Sequence, residues 1–421
     1  MTTQDANESV PPTTTSDAPP DRDVPPPAPT TPPKPKRLVS LDAYRGATMV
    51  LMASGGLGLA TVATQYPESK LWQAIAHHTE HVPWAGCALW DIIQPAFMFI
   101  VGVALPFSIA NRIARGQRFG RMFAHALWRA LLLVLIAVFL SSAWSPRTNW
   151  SFTNVLAQIG LGYPIIFLIA FTRPRTQWIA AAAILLACWI AFVLYPVAPA
   201  DFDWKAVGVP KDWPHLTGFA AHWDKNANLA AAFDRWFLNR FPRTEAFTFN
   251  RGGYTTLNFL PATVTMIFGL IAGWFLRGPR ALRSKLGRLA LFGLAGIILG
   301  LLLGWTGVCP IVKRIWTPSW ALYSAGWATL ILVAFVAVIE WLRLRRWAYP
   351  FVVVGANPIT VYCLWQLGGG FIRDNVKRHL GPDIFASCGQ PYTPMLERLT
   401  VLIVLFLIAL YMYRRKIHIK I

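Results

Sequence analysis

Charge is scarce in this 421-residue chain. Only 14% of residues are charged while 55% are hydrophobic, against about a quarter charged in an ordinary soluble domain. That balance excludes a soluble globular fold and implies an integral membrane protein. Acidic residues are the scarcer sign, 19 against 39 lysines and arginines. Cysteine is scarce too: five in all, with no C-x-x-C pair, so no zinc or other metal site is expected. A fixed-period repeat is lacking, which excludes solenoids. The two halves lack visible similarity to each other, which weighs against a secondary transporter. GGLG at 55–58 lacks the third glycine and the βαβ setting of a dinucleotide fingerprint, and close helix packing is the expected role. Residues 1–36, rich in proline and threonine, lack apolar residues able to form a core. They are expected to be a disordered tail with no cleavable signal peptide.

What the chain has is long apolar runs. A helix rising 1.5 Å per residue needs about 20 apolar residues to cross a hydrocarbon core of about 30 Å. About ten such runs can be traced, with cores near 44–64, 89–109, 124–143, 154–172, 178–198, 257–276, 288–305, 320–341, 348–367 and 396–413. The expected fold is an all-α polytopic membrane protein occupying 37–421. Basic residues gather at alternate connections, for example Arg112, Arg115, Arg118 and Arg121, then Arg277, Arg280, Arg283 and Lys285. The positive-inside rule makes these connections cytoplasmic, so both termini are cytoplasmic and the net charge of +20 records topology, with no nucleic-acid partner implied.

The longest outer-face connection is then 199–256. Within it, Leu229, Ala232, Phe233, Trp236 and Phe237 recur at helical spacing after Asn228, describing a short helix at the membrane surface. Trp204, Trp213, Trp223 and Trp236 could present flat faces to a sugar or form an interfacial belt. Cys309 and Cys388 share the outer face, where a disulfide between them is conceivable.

Ionisable and amide groups inside spans cost several kcal/mol unless they find a partner or water, so they mark function by default. Asp91 and Gln94 open the second span, Gln158 lies in the fourth, Asn258 opens the sixth and Asn357 lies in the ninth. Asp42 and Arg45 stand three apart at the mouth of the first, either as a local ion pair or with Arg45 facing an anionic ligand. Ahead of Asp91 stand His77, His78 and His81. A carboxylate bonded to one imidazole nitrogen fixes the tautomer and leaves the other nitrogen as base or nucleophile, a role a His81–Asp91 pair could fill.

Six blocks, in order, resemble the heparan-α-glucosaminide N-acetyltransferase family and its bacterial relatives: RLVSLDAYRGATMVLM, HVPWAGCALWDIIQPAFMFIVGVALPFSI, NVLAQIGLGY, GGYTTLNFLPATVTMIFGLIAG, KRIWTPSWALYSAGWATL and VVVGANPITVY. The resemblance runs from about 37 to 413. It implies a membrane acyltransferase that moves an acetyl group from cytoplasmic acetyl-CoA, as co-substrate, to an amino sugar or glycan on the outer face. It selects His81 and Asp91 as catalytic, His81 being acyl carrier or general base. Arg45, Ser54, Trp84, Lys313, Ser319 and Asn357 become substrate- or cofactor-binding. Ser54 stands where relatives often carry asparagine, and Ala157–Gln158 where they often carry Gln-Arg. The implied setting is a bacterial inner membrane, with the lipid bilayer as partner and a homodimer compatible with the family. Two other classes remain: a transporter with an Asp91/His81 polar relay, and a non-catalytic membrane scaffold.

Overall fold

The structure is a computed structural model that describes residues 38–419; the tail expected over 1–36 lies outside the described residues. It is built from helices: α1 (Val39–Ser54), α2 (Leu59–Ala63), α3 (Lys70–Thr79), α4 (Ile93–Ala114), α5 (Phe119–Ser142), α6 (Val155–Ile169), α7 (Pro174–Leu194), α8 (Leu229–Phe237), α9 (Phe259–Arg277), α10 (Leu282–Trp305), α11 (Pro318–Val336), α12 (Tyr349–Gly355), α13 (Pro358–Leu380) and α14 (Thr393–Arg414). Among the described residues the one β-type pairing is an isolated bridge between Ala85 and Val312.

Eight segments among the described residues are long and apolar enough to cross a membrane, and a bent pair makes up to nine. The difference from the expected ten has two local causes. The run at 154–172 yields only the 15-residue α6, started by Asn154, whose Oδ1 accepts from the Ala157 N–H at 3.0 Å. The ninth run is broken: 346–355 and 358–380 meet at 70°. Pro358 removes a backbone donor and bars helical geometry at the residue before it, and Asn357 accordingly sits at φ −136°.

The first span is broken as well. Gly55, Gly56, Leu57 and Gly58 all adopt left-handed φ, from 49° to 68°, a run that glycine allows and other residues resist. GGLG is therefore a kink between α1 and α2 that also packs closely, as the sequence suggested: a Cβ on Gly56 would meet the Thr79 carbonyl and one on Gly58 the backbone of Pro394 in α14. Packing glycines also occur elsewhere. At the crossing of α4 and α9, a Cβ on Gly102 would collide with the Met266 carbonyl, and one on Gly269 with that of Phe99. These two spans are the most enclosed, 67% and 72% buried, against 17% for the span of α14. Their close contact sets the 3₁₀ turns that open them, Leu89–Ile92 and Thr256–Asn258, at the same end of the bundle.

The 195–258 connection folds onto that end. Asn228 caps α8 as expected, its Oδ1 accepting from the Ala231 N–H at 3.1 Å. The buried face of α8 is Ala230, Ala231 and Asp234, leaving Trp236 exposed. Trp223 is fully buried and Trp213 lies under the Lys225 ammonium at 4.1 Å, so neither is a bare platform for a sugar. The conceivable Cys309–Cys388 bridge is not formed. Cys309 is packed in the interior beside Ser319, Cys388 lies exposed on a loop, and both thiols are free.

Candidate active site

The segment 80–88 is pinned from several directions. Gly86 N–H donates to the Ile311 carbonyl at 2.9 Å, and Trp84 Nε1–H to the Trp223 carbonyl at 3.1 Å. Arg314 donates to the carbonyls of Val82 at 3.1 Å and Gly252 at 2.6 Å, while Asn258 Nδ2 holds the Arg314 carbonyl at 2.7 Å. The openings of α4 and α9 and the loop before α11 are thereby joined around one point, and His81 stands there.

His81 Nδ1 lies 2.7 Å from Asp91 Oδ1, and Lys313 Nζ lies 3.2 Å from the same oxygen and 3.0 Å from Nδ1. The other carboxylate oxygen accepts from the N–H groups of Ala88 at 3.0 Å and Val82 at 3.3 Å. Asp91 is 1% exposed and Lys313 3% by side chain, against 37% for His81. Two lone-pair acceptors could not approach to 2.7 Å, so with Asp91 ionised the proton sits on Nδ1. Nε2 then carries the free lone pair, and no described residue donates a hydrogen bond to it. Burial lowers the pKa of His81 against the opposing hydrogen bond from Asp91, which keeps the ring a neutral base. Burial also lowers Lys313 to about 8, with Asp91 restraining the fall.

His81 lines a cavity of about 390 Å³ with Trp90, Gln94, Tyr254, Lys313 and Gln366. A second cavity, of about 300 Å³, shares Met52, Val155 and Tyr362 with the first as walls. Arg45 and Arg129 line it, with Met49, Ile100 and Leu133 supplying its apolar length. Arg129 donates to Tyr163 Oη at 3.1 Å and stacks over that ring, but its Nε is buried with no hydrogen-bond partner among the described residues. A third cavity, of about 460 Å³, shares Gly55, Trp365 and Gln366 with the first, and Ser54 lines it.

Of the residues singled out in the sequence, His81, Asp91 and Lys313 come together. Arg45 stands in the second cavity, 3.4 Å from Asp42, and Ser54 in the third. The others hold the frame. Trp84 is buried under Trp223, Ser319 Oγ donates to the Pro310 carbonyl at 2.7 Å, and Asn357 clamps the chain end through Ile417 and Ile419. Gln158 bonds the carbonyl of Phe152, and His77 and His78 lie exposed on α3. Sequence reasoning missed Arg129, Tyr254, Arg314 and Gln366. For Arg129 a signal existed: it lies in the third apolar run, where a guanidinium needs a reason.

Fold and site together define a multi-pass, all-helical membrane protein whose interior brings an imidazole, a carboxylate and an ammonium together beside a cavity that shares walls with two others. No protein-family model matches the chain. It is similar to heparan-alpha-glucosaminide N-acetyltransferase of Homo sapiens, 24% identical over 451 residues that take in 96% of this chain and 63% of that protein. It is likewise 24% identical to the Mus musculus protein of the same name over 366 residues, 77% of this chain and 53% of that one. The chain is distantly related to that family and spans less than two thirds of the length of either relative.

Proposed function

We propose that the protein is a membrane acetyltransferase that moves an acetyl group from acetyl-CoA to the amine of an amino sugar or glycan, with His81 as general base. The observation that carries this reading is the free Nε2 of an imidazole fixed by Asp91 in a cavity that shares walls with two neighbouring cavities. The relatives, named as N-acetyltransferases, supply the class of reaction. The second cavity suits the donor. Its apolar length accommodates an extended pantetheine arm, and the unsatisfied Arg129 Nε together with Arg45 offers donors to anionic oxygens. By the positive-inside reading that cavity faces the cytoplasm of a bacterial inner membrane, and the third faces outward to the acceptor.

The chemistry follows from the tautomer. Nε2 takes a proton from the acceptor amine as its nitrogen attacks the thioester carbonyl, forming the C–N bond. Collapse breaks the C–S bond, and the imidazolium returns its proton to the departing thiolate. Asp91 stabilises the imidazolium, and Lys313 places positive charge beside the developing oxyanion. Neighbouring cavities that each share walls with the His81 cavity suit direct transfer between donor and acceptor, which favours a base over an acetyl-carrying imidazole. Asp91 accepts four hydrogen bonds within a fixed frame, which suits a positioned catalytic group better than a mobile relay.

The test is purified protein with acetyl-CoA and a set of amino sugars, following release of free CoA. His81→Ala is expected to lower kcat by a factor on the order of 10² to 10⁴. Release at the wild-type rate by His81→Ala would remove the proposal, and a pre-steady-state burst of CoA without acceptor would replace the base with an acyl carrier.

A further inference from the structure

Resting on the acetyl-transfer reading, we infer that the third cavity is the acceptor subsite, a groove between α13 and α14 that takes an amino sugar bearing an acidic substituent. The groove shares Gly55, Trp365 and Gln366 with the His81 cavity, so a ligand seated there can extend its amine toward Nε2.

Three consecutive glycines, Gly368 to Gly370, lie within α13, and the last two line the groove. Glycine weakens a helix interior, and within spans it is ordinarily compensated by close packing, as at Gly102 and Gly269. No such compensation exists here. A Cβ on Gly370 would meet nothing within 4 Å, and one on Gly369 only a Val401 methyl at 3.8 Å. What their missing side chains provide is the space itself.

The walls define the occupant. Arg373 and Arg398 bring two guanidiniums; Lys377 matches the carboxylate of Glu397 and Asp374 pairs with Arg373, which leaves one positive charge in surplus. Arg398 spends one N–H on the Gly55 carbonyl and Arg373 one on Asp374, leaving further donors on each fork. The groove is thus net cationic and polar, with Trp365 on the side that it shares with the His81 cavity. That is a setting for a sugar ring and a neighbouring phosphate or carboxylate.

The experiment measures kcat/KM for glucosamine, glucosamine 6-phosphate and muramic acid with acetyl-CoA, in the full chain and in Gly369→Leu, Gly370→Leu, Arg373→Gln and Arg398→Gln. The acidic sugars are expected to exceed glucosamine by about tenfold, the low end of a charge-assisted bond, and whichever exceeds it more names the anion as phosphate or carboxylate. Each arginine variant is expected to shrink that preference toward unity, and each leucine variant to lower kcat/KM for all three sugars by about tenfold or more. KM for acetyl-CoA should stay within about twofold throughout, which shows that the variants fold. Unchanged acceptor constants in the leucine variants, or equal use of the three sugars by the wild type, would overturn the groove while leaving acetyl transfer intact. Absence of CoA release with every amine would overturn both.

Discussion

Replacing Asp91 by asparagine is the sharpest perturbation of the site, because the carboxylate accepts four hydrogen bonds and balances a buried ammonium. An amide has one acceptor oxygen and one donor nitrogen. If the oxygen keeps the N–H groups of Val82 and Ala88, the amide nitrogen faces His81 Nδ1, which must then accept, and the ring proton moves to Nε2. The lone pair required of a base is thereby removed, and kcat is expected to fall by a factor on the order of 10³. KM for acetyl-CoA should change by no more than about threefold, since the walls of the donor cavity are untouched. Stability also falls. Lys313 loses its counter-charge while only 3% exposed, and breaking such a pair costs about 3–5 kcal/mol. Deprotonation limits that loss: with the Lys313 pKa already lowered to about 8 in the wild type, neutralising the amine at pH 7 costs only about 1.4 kcal/mol more. The combination Asp91→Asn with Lys313→Met should therefore recover most of the lost stability and none of the activity. The assays are steady-state CoA release and thermal unfolding in detergent. An Asp91→Asn protein that unfolds at the wild-type temperature with kcat within about tenfold of wild type would refute the tautomer argument.

Other outcomes follow from the same geometry. Activity should rise with pH through a His81 pKa below the ordinary imidazole value of 6.5, and fall again near pH 8 as Lys313 loses its proton. Lys313→Arg should carry the alkaline limb beyond pH 10, and a limb that stays at 8 would assign it to another group. Arg129→Met should raise KM for acetyl-CoA by about tenfold or more with little effect on KM for the sugar, and an effect on the sugar alone would remove Arg129 from the donor cavity. Asp234, buried where it accepts the Thr256 N–H at 2.9 Å, has its pKa raised by burial from 3.8 to about 6. The folded protein thus holds that proton more tightly, and the ionised form costs about 3 kcal/mol above pH 6. Asp234→Asn should be more stable than wild type at pH 7.5, the difference closing between about pH 6 and pH 4; a difference that does not vary with pH would show that the charge is not the cause.

Much of the fold could be read from residue order because a bilayer reduces the problem to length and hydropathy. Each run of about 20 apolar residues must become a helix, since no other local structure satisfies its backbone in lipid. The misjudged spans were those in which a local rule outweighed the average. Pro358 after Asn357, and four successive left-handed residues at 55–58, break helices inside runs whose composition alone reads as continuous. His81 and Asp91 are ten residues apart, close enough for spacing to suggest the pair. Lys313, 222 residues beyond Asp91, joined them only through resemblance to a family. Arg314 and Gln366 carried no comparable signal, because a polar residue near a span end is ordinary.

By itself the sequence determined that this chain lives in a membrane as a bundle of helices, and its spacing suggested a histidine and a carboxylate as partners where the second span begins. The physical reason is that hydropathy and short spacings act along the chain. Which polar groups share a site was decided by the tertiary structure alone. The crossing of α4 and α9 brings their openings together, Arg314 ties three separate segments around His81, and the bends at 55–58 and 356–357 leave the cavities open. Cavities are spaces between elements distant in sequence, and the hydrogen bonds that hold Trp84, Ser319 and Asn357 in place likewise join such elements.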